Sequence, residues 1–147
     1  MASRDTTTGS SYEAIIEMCI KRSCEKNNLD AISQAVIGIK PGGGRHRVDW
    51  EIIDKEDPGK RGLISCKYQG TSGTAEEKLA YEVIKLLHAM KTDPRYKKSW
   101  IIMGGNGWSE GMREFTRNHL SEWIPEMTRN VSILTTDQLI NADLNLN

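Results

Sequence analysis

The chain predicts an α/β fold with a mixed β-sheet flanked by helices. Three observations carry that expectation. Stretches of helical periodicity and short β-branched or aromatic runs follow one another in the order helix, three strands, helix, strand, helix, strand, helix. The first strands form a meander joined by turn-rich segments, and the later ones are interleaved with helices. The 147 residues, 37% hydrophobic and 27% charged, suit one soluble domain with a moderate core.

In chain order, residues 1–9 read as a flexible arm and 10–147 as a single domain. Ser10 or Ser11 is placed to cap a helix running to about Glu25, with Ile15, Ile16, Cys19 and Ile20 as its apolar stripe and Asn27-Asn28 as its end. Ala31 to Ala35 suggest a turn of helix, and Val36–Ile39 a strand. Pro41-Gly42-Gly43-Gly44 forms a hairpin tip that leads into a strand at Val48–Asp54. The run from Asp57 to Gly62 is a second turn, followed by a strand at Gly62–Gln69. Thr74 followed by Glu77 is a capping-box signature for a helix to about Met90, whose inward stripe is Leu79, Ala80, Val83, Leu86, Leu87 and Met90. Trp100–Met103 reads as a central strand. Ser109 caps the next helix, with Met112, Phe115, Leu120 and Trp123 as candidates for burial, and Pro125 interrupts it. Val131–Leu134 is a last strand, Thr135 or Thr136 caps a short helix, and the tail is expected to fray.

Composition narrows the function. Twenty basic and twenty acidic residues balance, which argues against a protein that coats nucleic acid non-specifically. No apolar run approaches the roughly 18 residues of a membrane span, and the N-terminal residues lack the apolar core of a signal peptide. Three cysteines make no paired framework, so reduced thiols in a cytoplasmic setting are expected. Scattered histidines give no metal-binding spacing. The charge is unevenly spread, with basic residues at Lys40, Arg45, His46 and Arg47, again at Lys91–Lys98, and at Arg113 and Arg117.

The chemistry concentrates on two neighbouring strands. Strand period two puts Asp49 and Glu51 on one face, and Ser65, Lys67 and Gln69 on one face. Val48, Trp50 and Ile52, like Ile64, Cys66 and Tyr68, point the other way. A carboxylate that holds a divalent cation beside a lysine that orients water is a kit for cleaving phosphodiesters.

These residues, together with Thr8–Glu13, the 73–78 run and the 104–108 loop, resemble the PD-(D/E)xK superfamily of restriction-endonuclease-like nucleases, over roughly residues 8 to 141. Val48 stands in the proline position. Ser65 stands where the second acid belongs, as in S-x-K members that supply it from the following helix. The resemblance implies Lys67, Asp49, Glu76, Glu13 and Gln69 as catalytic residues, with Asp49 and Glu76 as metal ligands. Glu77, Glu51 or Glu82 are the substitutes for Glu76. Helix phase favours Glu76, which lies on the inward stripe, over Glu77, rotated by about 100°. Lys40, Arg45, Arg47, Asn106 and Arg113 are the expected DNA contacts. The implied activity is site-specific, Mg²⁺-dependent cleavage of double-stranded DNA, with Mn²⁺ able to substitute, by a homodimer or homotetramer. The short chain suits a homing enzyme as well as a restriction enzyme. A nuclease fold that has lost catalysis and only binds DNA or a partner is the alternative.

Overall fold

A computed structural model describes residues 2–68, 78–105 and 108–147, with side chains from residue 11 onward. Its elements are α1 (Ala2–Lys26), β1 (Leu29–Ile39), β2 (Arg45–Asp54), β3 (Arg61–Tyr68), α2 (Leu79–Thr92), β4 (Tyr96–Gly104), α3 (Glu110–Asn118), α4 (Leu120–Trp123), α5 (Met127–Asn130), β5 (Val131–Thr135) and α6 (Thr136–Ile140). Gln69, Glu76, Glu77, Asn106 and the Thr74 cap lie outside the described residues.

The five strands lie side by side in chain order. β1, β2 and β3 form an antiparallel meander, and β4 and β5 continue parallel to β3. The mixed α/β sheet expected from the sequence is therefore the fold. Short turns allow the antiparallel pairs, and α2 and the α3–α5 segment provide the crossovers that parallel pairs need. At the first tip, Gly42, Gly43 and Gly44 all take positive φ, and Lys40 N–H bonds to the Gly44 carbonyl at 3.1 Å. At the second, Asp54 Oδ1 accepts from the N–H groups of Glu56 (2.9 Å) and Asp57 (3.0 Å), an Asx turn.

Helices cover both faces. On one, Leu79, Val83 and Leu86 of α2 pack with Val48, Leu63, Ile101 and Met103, and Trp108, Leu120 and Met127 extend this core. On the other, Ile16, Ile20 and Cys24 of α1 pack with Ile52, Ile64, Trp100 and Ile102.

Several expectations change. β1 is one continuous strand, with no helical turn at Ala31–Ala35, because residues from Leu29 onward pair in register with β2. α1 begins at Ala2, ahead of the expected cap. Its buried stripe is Ile16, Cys19, Ile20 and Cys24, while Ile15 is exposed. Trp123 is 75% exposed and Phe115 partly so, since the break before Pro125 leaves α4 a single turn. The C-terminal tail does not fray. Leu144 and Leu146 are buried in the α1-side core, and Asn27 donates its side-chain N–H to Asp143 Oδ1 at 2.7 Å. Two leucines spaced by one residue fill a gap beside Gly62, where a Cβ would come within 2.8 Å of Leu146.

Candidate active site

The sheet forks between β2 and β3. They pair only from Trp50–Ile53 against Arg61–Ile64. Beyond that point β2 continues on β1, and β3 continues on β4 as far as Tyr68. Parting strands leave backbone groups in need of partners. Asp49 provides one: its Oδ2 accepts from the Cys66 N–H at 2.7 Å.

β3 alternates as predicted, with Ile64, Cys66 and Tyr68 toward α1 and Ser65 and Lys67 toward α2. β2 does not. Val48 packs in the α2-side core, whereas Trp50 and Ile52, two and four residues on, pack in the α1-side core. Asp49 and Glu51 therefore do not act together. Glu51 is buried away from the fork, where Tyr96 donates its hydroxyl to Oε2 at 2.8 Å and Arg61 pairs with it at 3.3 Å. That engagement ties Glu51 to Tyr96 and Arg61 on the part of β2 that still pairs with β3.

Lys67 reaches α2. Its Nζ lies 2.6 Å from Oε1 of Glu82, and Lys85 Nζ lies 3.4 Å from Oε2. Burial alone would push the Glu82 carboxyl up, but the Lys67 hydrogen bond and charge, then Lys85 and the Ser65 hydroxyl, hold it below its ordinary value. Glu82 is thus a buried carboxylate facing both Ser65 and Lys67. The sequence contained the signal, since Glu82 lies on the inward stripe, three residues after Leu79 and four before Leu86. An acid on an apolar stripe needs a cationic partner. Lys85, which also stands 5.5 Å over the Tyr81 ring, was not anticipated at all.

On the α1 side, Asp49 and Glu13 line one cavity of about 390 Å³ with Ser33, Gln34, Trp50, Cys66 and Tyr68. Glu13 of α1 thus shares a cavity with Asp49 of β2. Burial, then the Asp49 carboxylate, pushes the Cys66 thiol up to about 12, and burial likewise raises the Tyr68 phenol. Both remain protonated at neutral pH, and the acidic residues that line the cavity are Glu13, Glu17 and Asp49. A larger cavity of about 590 Å³, lined by Leu87, Met90, Tyr96 and Ile124 among others, contains none of the site residues.

The expected DNA contacts divide. Arg45 and Arg47 are exposed and Lys40 half-buried, all flanking the β1–β2 tip, which Tyr81 of α2 steadies by donating to the Pro41 carbonyl at 3.1 Å. His46, between the arginines, is buried, and its Nε2 has no partner among the described residues. Arg113 braces its own loop by donating to the Trp108 carbonyl at 2.8 and 3.1 Å. Trp108 is a core anchor, its indole N–H bonded to the Gly104 carbonyl at 2.7 Å.

A forked mixed sheet with an aspartate at the fork and a lysine on the adjoining strand defines a nuclease-type α/β domain. The chain belongs to the PD-(D/E)XK nuclease superfamily: the family model of the PD-(D/E)XK nuclease superfamily domain matches residues 8–145. Its activity is that of a nuclease, a phosphodiester hydrolase acting on nucleic acid, and divalent metals generally serve such enzymes. Neither the curated proteins nor the solved structures gave a match. Among the described residues no helix is long and apolar enough to cross a membrane.

Proposed function

We propose that this protein is a Mg²⁺-dependent endonuclease that cuts double-stranded DNA site-specifically, of restriction or homing type. The observation that carries the reading is the fork, where Asp49 is anchored on the Cys66 N–H and the next residue, Lys67, meets a buried acid. Mg²⁺ takes oxygen donors, usually one or two carboxylates completed by water and phosphate oxygens. Asp49 and Glu82 are oxygen donors of the kind that requirement names, on the two sides of β3, and Glu82 would exchange a lysine contact for the cation. Glu82 is preferred to Glu76 because its carboxylate already faces Ser65, the residue that leaves the strand without its second acid. Glu76 and Glu77 remain rivals to be tested.

In this reading Asp49 and Glu82 hold the cation. Bound there, it would acidify a coordinated water and offset the charge that builds on phosphorus. Lys67 donates N–H bonds that orient the attacking water. Glu13 adds a polar group to the cavity that Asp49 lines, and Gln69 is the further site residue to test. In-line attack breaks the bond to the 3′ oxygen and leaves a 5′-phosphate. The basic hairpin residues Lys40, Arg45 and Arg47 hold the DNA backbone, and Arg113, in the first turns of α3, and Asn106 are the further contacts to test.

A second reading, a nuclease fold that binds DNA without cutting it, is favoured by one observation. Among the described residues no three His, Cys, Asp or Glu groups converge to hold a metal. One titration separates the two. Supercoiled plasmid is incubated with increasing Mg²⁺, or Mn²⁺, and wild type, Asp49→Ala or Glu82→Gln protein. Cleavage that requires the cation and both carboxylates supports the endonuclease. DNA binding with no cleavage at any cation concentration supports the binding module.

A further inference from the structure

We propose that Gln34 is a positioning residue of the site: its left-handed backbone turns Asp49 out of the pleat and into the fork. The proposal rests on the reading of Asp49 as a site carboxylate. Among the described residues only two non-glycine residues have positive φ, Asn28 at 57° and Gln34 at 53°. Asn28 follows the end of α1, a usual place for that conformation. Gln34 sits inside a strand, where a side chain with a Cβ adopts it at a cost and persists only if its surroundings fix it.

The surroundings are specific. Ser33 pairs with Trp50 and Ala35 with Val48, so the step between these pairs is Gln34 facing Asp49. In that step both strands exchange faces. Leu29 and Ala31 of β1 pack on the α1 side, and Ala35 and Ile37 on the α2 side. Trp50 and Ile52 of β2 pack on the α1 side, and Val48 on the α2 side. A regular pleat sends residues two apart to the same face. The interruption therefore falls at Gln34 and Asp49 and takes the aspartate out of the alternation of its neighbours. Backbone N–H groups of a strand lie in the plane of the sheet, and there Asp49 meets the Cys66 N–H at 2.7 Å. Gln34 also lines the same cavity as Asp49 and Glu13.

Amide hydrogen exchange at Cys66 reads the position of Asp49 without any need for cleavage. Glycine and asparagine accept the left-handed conformation and valine does not. Gln34→Gly and Gln34→Asn should keep the Cys66 amide protected. Gln34→Val should exchange about tenfold faster there, the scale of the penalty that branching at Cβ adds to the left-handed cost glutamine already bears, in the direction of Asp49→Ala. The Mg²⁺ concentration for half-maximal cleavage should rise in Gln34→Val with the KM for DNA unchanged. If the valine variant does not fold, Gln34→Thr, also branched at Cβ, against Gln34→Gly makes the same comparison. Unchanged Cys66 protection in Gln34→Val or Gln34→Thr overturns the proposal, as does equal loss in the glycine variant. If the expected Cys66 pattern appears but wild type cuts no DNA, the role of Gln34 stands and the nuclease reading falls.

Discussion

Lys67 bridges two roles, and its substitution should reveal both. In the proposed mechanism, truncating Lys67 takes away the group that orients water, and it also leaves the buried Glu82 carboxylate with Lys85 as its remaining cation. Lys67→Ala should therefore abolish cleavage and also lower stability by about 2 kcal/mol, the scale of a lost hydrogen bond to a charged group. Lys67→Ala with Glu82→Gln should cost less than the sum of the two single changes, because the pair forms one network. Urea unfolding of the four proteins measures this, and strict additivity would show that the two groups are independent. The pH dependence has a definite sign. The Glu82 carboxyl is held below the ordinary carboxylate range, so its contribution is fully present above that range and fades as pH falls through the lower folded value. The stability gap between wild type and Glu82→Gln should thus be widest near neutrality and shrink in acid. A gap that widens in acid would mean that burial outweighs the lysines. At this scale the sequence was partly legible. Asp49 and Lys67 stood out through residue type and strand period. Glu82 ranked low because its place on an apolar stripe becomes meaningful only once Ser65 and Lys67 are seen opposite it. Glu76→Gln and Glu77→Gln complete the comparison: if either stops cleavage and Glu82→Gln does not, the metal site moves to the start of the helix.

At the scale of elements, strands and caps read well where local rules decide them. Ser109 accepts from Met112 N–H at 3.2 Å, and Thr135 forms a capping box with Gln138, both as the sequence suggested. The alternation along β3 was equally clear. β2 failed because its pleat is broken by the conformation of a residue on its neighbour, and no period within β2 encodes that. The tail failed for a similar reason, since Leu144 and Leu146 look like a polar terminus until Gly62 opens space for them. Leu144→Ala should cost about 3 kcal/mol, as for other fully buried leucines. A melting temperature equal to wild type would show that the tail is dispensable. The β1–β2 hairpin makes a separate prediction. If Arg45 and Arg47 contact DNA phosphates, each alanine substitution should weaken binding evenly across sequences. Each should also lower the slope of log affinity against log salt by about one. An unchanged slope would move the DNA surface elsewhere.

For the molecule as a whole, the question is how one small domain reaches both strands of a duplex. The fork offers one site, with one Asp49, one Lys67 and one Glu82. The two strands of a duplex run antiparallel, so two identical sites meet them most simply when related by a two-fold axis. A homodimer, or a homotetramer built from dimers, is the expected assembly. Sedimentation at micromolar concentration, with and without DNA, should show two or four chains. Cleavage supplies an independent measure: a symmetric pair converts supercoiled plasmid to linear form with little nicked intermediate, whereas a lone domain accumulates nicked circles first. Mixing wild type with Asp49→Ala protein sharpens this, because a mixed dimer keeps one working site and should nick rather than linearise. A strictly monomeric protein that nicks, unaffected by the added variant, would keep the nuclease chemistry and discard double-strand cutting.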